Sequence, residues 1–368
     1  MSHARTTPLI QSLPPKVPFV GPEVQERLSG VAFSARLGAN ENAFGPSPSA
    51  IEAMQEGAAE IWKYGDSSSF DLRTAIAARQ GCKIENIVVG EGIDGLLGYL
   101  VRIMVAQGDA VVTSDGAYPT FNYHVTGYGG ALHKVAYRDD HEDLPVLMAR
   151  AAEVDAKLIY FANPDNPMGS CLQGADIVAA LDDLPDGCLL ILDEAYVEFA
   201  PEGIAAPVEI NDPRVIRMRT FSKAYGMAGA RIGYALGAVP LIAEFEKIRN
   251  HFGLNRAAQA GALAAYEDDA WLAHIRQEVA RARDEIARIA HDNGLTPLPS
   301  ATNFVSVDCG EDGDFARAVL AGLTARGIFV RMPFVAPQDR CIRVSCGRPE
   351  DLEKLAAALP GALAEARS

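Results

Sequence analysis

Lys223 stands in TFSKAYGMAGARIGY (residues 220–234), where an apolar run ends and Thr220, Ser222 and the lysine follow in close order. Small residues come next, and then Arg231. A lone lysine is usually a solvated surface charge. One placed at a strand end, between hydroxyls and a tight Gly/Ala turn, is partly desolvated. Desolvation lowers its pKa and frees a neutral amine to attack a carbonyl. Arg231 adds a planar fork that matches phosphate oxygens. An amine beside a phosphate cradle suits a carbonyl compound that itself carries a phosphate, and pyridoxal 5'-phosphate is such a compound.

That cofactor makes further demands. Its ring nitrogen needs a buried carboxylate to stay protonated. LLILDEAYVEF (residues 189–199) offers Asp193 at a strand end, with Tyr196 close enough in sequence to reach the phenolic oxygen. Asp193 reads equally well as a helix N-cap. NPDNPMG (residues 163–169) sets Asn166 between prolines with an amide donor for the same oxygen, although such a segment is also simply a turn. Tyr118, in DGAYPTF, follows another apolar run and is placed to cover a ring face, or only to pack.

VVGEGIDGLLGYL (residues 88–100) competes with this reading. Gly90, Gly92 and Gly95 follow an apolar run at GxGxxG spacing, and Asp115 lies about 20 residues further on, as in a nicotinamide-dinucleotide site. The spacing alone is weak, because any tight strand-to-helix turn that exposes amides can hold a phosphate. Here the amides of Gly92 and Ile93 would do so, with a helix dipole behind them. An NAD-dependent oxidoreductase would leave Lys223, Arg231, Asp193 and Asn166 without a role, whereas the pyridoxal reading uses all four.

These residues need elements that bring them together. NIVVG, AVVTS, LHKVAY, KLIYFAN, LLILDEA, VIRMRT and RIGYALG read as seven strands alternating with helices, the pattern of an α/β fold with a mostly parallel sheet wrapped by helices. Tyr118, Asn166, Asp193 and Lys223 fall at or just beyond strand ends, and in such sheets ligands sit outside the carboxyl ends. After about residue 240 the texture changes. Long charged helices (PLIAEFEKIRNHFG, then WLAHIRQEVARARDEIARIAHDNG) lead to NFVSVD, FARAVLAGLTARGIFVR, CIRVSCG and a closing helix. The expectation is a large cofactor-binding domain over 31–245 and a smaller α+β domain made of 1–30 and 246–368.

Composition bounds the partners. The 368 residues carry a formal net charge of -15, which disfavours a nucleic-acid surface. The 6 cysteines form no CxxC pair and the 7 histidines no HxxH, so no metal site is expected. MSHARTTPLIQSLPPKVPF lacks the apolar core of a secretory signal, and LLGYLVRIMVA contains Arg102 and falls short of the roughly 20 residues of a membrane span. The expected setting is the cytoplasm, with reduced thiols and no membrane contact.

NPDNPMG, ILDEAY, SKAYGMAGARIG and CIRVSCG, in this order, resemble the class I/II (fold type I) pyridoxal-phosphate aminotransferases, most closely their histidinol-phosphate aminotransferase branch. LGANENAFGPSPSAI (residues 37–51) and WKYGDSSSFDLRTAIA (residues 62–77) are similar to early segments of that branch. The resemblance implies that Lys223 bonds the cofactor and that Asp193 partners its ring nitrogen. It assigns Tyr196 and Asn166 to the phenolic oxygen, and Tyr118 to the ring. Thr220, Ser222, Arg231, Gly92 and Ile93 would hold the phosphate. Tyr64 would reach the cofactor of a neighbouring subunit, making the enzyme a homodimer. Arg343 would clamp a substrate carboxylate and Arg331 a substrate phosphate. Phe19 replaces a usual tyrosine, and Met332 and Phe334 beside Arg331 are apolar, which weighs against a phosphorylated donor. The implied reaction is a two-step transfer of an amino group from an amino acid, or histidinol phosphate, to a 2-oxo acid. A decarboxylase on the same scaffold is the alternative, and a non-catalytic binding protein would have no need of Lys223.

Overall fold

The structure, a computed structural model, describes residues 5–14 and 20–368. Among these residues the strands in chain order are β1 (Ala35–Arg36), β2 (Ile87–Gly90), β3 (Ala110–Ser114), β4 (Ala131–Val135), β5 (Leu158–Ala162), β6 (Leu189–Asp193), β7 (Val215–Thr220), β8 (Gly233–Leu236), β9 (Thr296–Pro297), β10 (Phe304–Asp308), β11 (Ile328–Phe329) and β12 (Cys341–Ser345). The first large sheet has 7 strands in the order β2-β8-β7-β6-β5-β3-β4. Only β8 runs antiparallel to its neighbours β2 and β7, and the remaining pairs are parallel. These are the seven runs singled out in the sequence.

The sheet has this form because β3, β5 and β6 are apolar at nearly every position and buried throughout. Strands covered on both faces read as continuous apolar runs. Alternate residues serve opposite faces. Tyr160 and Ala162 join one cluster with Leu96, Leu97, Leu100 and Val101 of the helix Gly92–Met104. Ile159 and Phe161 join another with Leu147 and Met148 of the helix Leu144–Val154. Parallel pairing then brings the ends Ser114, Ala162, Asp193 and Thr220 to one edge.

A second sheet, ordered β12-β10-β9, is antiparallel, and β1 pairs with β11 in parallel. The helices Asp269–Asp292, Gly313–Ala325 and Pro349–Ala366 supply the core around it. The helix Arg256–Glu267 packs on Pro48–Ala59 at very close range. A Cβ on Gly57 would stand 2.9 Å from the Cα of Ala257, so the approach depends on glycine there.

One sequence expectation is corrected. PLIAEFEKIRNHFG was expected to form a long helix, and the helix ends at Phe245. The amides of Glu246, Lys247 and Ile248 turn to carbonyls three residues back. Arg249 then donates to the carbonyl of Ser67 at 2.7 Å, and the Asn250 amide donates to the Tyr99 hydroxyl at 3.0 Å. Tertiary partners therefore take over from the helical pattern.

Candidate active site

A cavity of about 430 Å3 opens at the carboxyl edge of the large sheet. Of the residues singled out in the sequence, Ile93, Tyr118, Asn166, Asp193, Tyr196, Thr220, Ser222, Lys223, Arg231, Arg331 and Arg343 line it. Gly92 lies beneath Arg231. Tyr64 does not line the cavity; its side chain is 77% exposed and its ring lies 4.8 Å from that of Phe252. Phe19 lies outside the described residues.

Lys223 follows the end of β7 and is half-buried. Its Nζ donates to the carbonyl of Asn40 at 3.1 Å and sits 5.5 Å from the centre of the Tyr196 ring. Burial lowers its pKa from the usual 10.5 to about 8, and the nearby Arg343 guanidinium pushes the same way. The amine is therefore neutral in a substantial fraction of molecules near pH 8, as a nucleophile must be.

Asp193 ends β6 and is 5% exposed. The Tyr160 hydroxyl donates to Oδ2 at 2.6 Å, and the amide of Ala195 donates to Oδ1 at 2.9 Å. The local turn-capping role is thus real and uses one oxygen. Burial still raises the carboxyl to about 6, because both donors are neutral and no cation offsets the desolvation. A buried carboxyl in this state accommodates a cation such as a protonated ring nitrogen. The next residue, Glu194, is held by Arg219 at 2.8 Å and Arg217 at 3.0 Å. Burial alone would raise its pKa, but the two guanidiniums outweigh it and hold Glu194 below its ordinary value.

Tyr196 receives a hydrogen bond from Asn40 Nδ2 at 3.1 Å, and burial raises its hydroxyl to about 12. Arg343 donates to Asn166 Oδ1 and, at 3.1 Å, to the carbonyl of Gly38. With its oxygen so engaged, Asn166 keeps its Nδ2 as a donor. The Tyr118 hydroxyl donates to Asp94 at 2.8 Å.

The anion cradle joins two elements. Ser222 N donates to Thr220 Oγ1 at 3.0 Å, and Arg231 reaches Ser222 Oγ at 3.3 Å from a left-handed backbone, φ 54°. Gly92 opens the helix Gly92–Met104 at φ 77°, and a Cβ there would come within 2.5 Å of Arg231 Nη2. Only glycine lets the guanidinium approach those amides without displacing it. A cradle at a helix start, a buried carboxyl and a depressed lysine fit the phosphate, ring nitrogen and carbonyl of pyridoxal phosphate.

Arg331 and Arg343 are directly opposite each other in an antiparallel bridge, with backbone bonds of 3.2 and 2.6 Å, so both side chains emerge on one face. Sequence reasoning missed Asn40, Tyr160 and Asp94. Asn40 lies inside the quoted segment LGANENAFGPSPSAI, and its left-handed backbone (φ 54°) is a conformation asparagine tolerates. Asp115, which the dinucleotide reading needed, pairs instead with Lys134 at 2.9 Å near the surface. No group of three or more His, Cys, Asp or Glu side chains among the described residues is placed to hold a metal ion.

Fold and site together define a pyridoxal-phosphate-dependent transferase. The sequence model described as aminotransferase class I and II matches residues 35–359. The crystal structure of histidinol-phosphate aminotransferase from Sinorhizobium meliloti in complex with pyridoxal-5'-phosphate is similar over 99% of this chain and 98% of that one, with a TM-score of 0.95 and 52% identity. The histidinol-phosphate aminotransferase of Moorella thermoacetica is 33% identical over 96% of this chain and 92% of its own length. That of Anaeromyxobacter sp. is 35% identical over 96% and 97%. The chain belongs to the class I and II aminotransferase family, and it is a pyridoxal-phosphate-dependent aminotransferase.

The lowered lysine has a direct consequence. The rate at which cofactor-free protein takes up pyridoxal phosphate is expected to rise with pH through a midpoint of about 8, as Lys223 loses its proton. Stopped-flow absorbance measures this rate. A midpoint at the ordinary lysine value would show that Lys223 is not desolvated.

Proposed function

We propose that the chain moves the amino group of histidinol phosphate to a 2-oxo acid such as 2-oxoglutarate. The observation that carries this reading is the bridge that sets Arg331 and Arg343 side by side on the cavity wall that Lys223 also lines. Two guanidiniums suit a pair of substrates that both carry anions, a phosphate in the donor and carboxylates in the acceptor. The names of the relatives support the same donor. Met332 and Phe334 line the cavity beside the arginines and offer apolar surface to a flat imidazole ring.

Pyridoxal phosphate, when bound, supplies the carbonyl that takes up the amino group and the ring that accepts the electron pair of the broken C–H bond. Lys223 is the attachment point. Freed by the incoming amine, it takes the proton from the substrate's α-carbon as general base and returns a proton as general acid. Asp193 keeps the ring nitrogen protonated. Asn166 and Tyr196 hold the phenolic oxygen, and Tyr118 presents its ring to the cofactor. Thr220, Ser222, Arg231 and the amides of Gly92 and Ile93 hold the phosphate, while Arg343 takes a carboxylate of the oxo acid.

The reading includes a homodimer in a reducing compartment. Ile61, Trp62, Tyr64, Phe70 and Phe252 are large apolar side chains exposed on neighbouring stretches of the chain, and a second copy covering them would bring Tyr64 toward its partner's cavity. The 6 cysteines are free. It also includes the division into 31–245 and a smaller part formed by 1–30 and 246–368, with the helix Arg256–Glu267 lying across the junction.

Glutamate release from 2-oxoglutarate is expected with histidinol phosphate and to be at least tenfold slower with phenylalanine. Arg331→Gln is expected to raise KM for histidinol phosphate about ten- to hundredfold, the scale of a lost charge-assisted hydrogen bond. Faster turnover of phenylalanine would overturn the donor. Sedimentation is expected to give twice the mass of the chain, and a monomeric active enzyme would contradict the homodimer.

A further inference from the structure

Behind the Asn166 turn lie two carboxyl groups that the reaction as described leaves unused. Glu142 precedes the helix Leu144–Val154, and Asp165 stands immediately before Asn166. They are 4% and 1% exposed. The parallel pairing of β3 with β5 runs through Val111–Leu158 and Val112–Ile159 and stops there, so the strand ends part beyond it. The Glu142 carboxyl fills that gap. Ser114 Oγ donates to its Oε2 at 2.6 Å, and the amide of Ala162 donates to its Oε1 at 2.9 Å. Asp165 accepts from the Tyr137 hydroxyl at 2.9 Å and from the amide of Met168 at 3.1 Å, and it is hydrogen-bonded to Glu142.

The donors around the pair are neutral. The charged groups that act most on Glu142 are Asp165 and Asp193, both of its own sign, while the Arg343 guanidinium acts on Asp165 from the far side of the turn. Two carboxylates in contact, out of water and without a cation between them, cannot both be ionised. A hydrogen bond between them also needs a donor, which only a protonated carboxyl provides. Burial accordingly pushes both groups upward, Glu142 furthest.

We propose that Glu142 is a positioning residue: it keeps a proton at neutral pH, donates it to Asp165, and so fastens the Asn166 turn to the ends of β3 and β5. Asn166 is the group that faces the cofactor, and Glu142 acts through Asp165. The turn depends on Asp165 at several points. Its amide donates to the Ser170 carbonyl at 2.9 Å, and its carbonyl accepts from Gly169 at 3.2 Å. Arg343 takes Asn166 Oδ1 from the other side. The orientation of the Asn166 amide is thus set from behind by the carboxyl pair and from the front by the guanidinium.

Two measurements test this, and only the second rests on Asn166 facing the cofactor. Denaturant unfolding of the full chain compares wild type with Glu142→Gln, which keeps the size and a donor but has no titrating proton. A carboxyl whose folded pKa is raised stabilises the fold fully below its unfolded value, and that stability is lost as pH rises toward the folded value. The unfolding constant of wild type relative to Glu142→Gln is therefore expected to grow about tenfold per pH unit from about pH 5 upward, until the folded carboxyl itself loses its proton. A flat ratio would show that Glu142 is ionised in the fold and would overturn the proposal.

The second measurement is the pH titration of the visible absorption band of the cofactor-loaded protein. A donor on the phenolic oxygen draws electron density away from the nitrogen that carries the titrating proton. Glu142→Ala, which loosens that donor, is expected to move the midpoint up by about one unit, and Glu142→Gln to return it most of the way. A Glu142→Ala midpoint equal to wild type, or a Glu142→Gln midpoint displaced as far as Glu142→Ala, would overturn the positioning role. The unfolding comparison needs only the glutamine variant, so it decides the protonation even where Glu142→Ala does not fold.

Discussion

Two groups of opposite charge are held away from water in one cavity, Asp193 at the end of β6 and Lys223 just past the end of β7. Desolvation penalises the charged form of each, which draws Asp193 up to about 6 and Lys223 down to about 8. The same physical cause thus prepares a neutral amine for a carbonyl and a carboxyl for a cationic ring. The rest of the molecule serves to keep these groups buried and aimed. Parallel pairing carries both strand ends to one edge, Tyr160 braces Asp193 from β5, and Asn40 links Lys223 to Tyr196 and, through Ser345, to β12.

The substrate side obeys a different constraint. A chain with net charge -15 repels anions at long range, so any anion it binds must be held by local cations. Arg343 is pushed down to about 10 by burial yet stays charged at neutral pH. Its bridge to Arg331 concentrates positive charge on one wall, while Arg231 and the helix start at Gly92 form a separate anion site. If the donor is histidinol phosphate, as proposed, its phosphate and that of the cofactor have different cations to bind and do not compete for one place.

Much of this was legible in the sequence because a strand buried on both faces is a continuous apolar run that ends abruptly in polar residues. LLILD and LIYFA announce both the strands and where to look for chemistry. Asp193, Asn166 and Lys223 stand at or just past such ends, Arg231 stands two residues before β8, and their residue types fit one cofactor jointly. Tyr160 was not legible. It lies inside an apolar run, and its hydroxyl meets Asp193 only because the β5–β6 register places Ala162 opposite Asp193 and so puts Tyr160 on the same face. Asn40 depends on a contact between residues far apart in the chain, and Glu142 on where β3 and β5 separate. Side chains beyond Phe245 meet Ser67 and Tyr99, which local periodicity does not encode.

The most direct measurement is borohydride reduction of the pyridoxal-phosphate-loaded protein, followed by proteolysis and mass spectrometry. Burial of the amine at the cavity floor requires the cofactor to be found bonded to Lys223 alone. Label on any other lysine, or no label on a protein that still carries out transamination, would contradict the account.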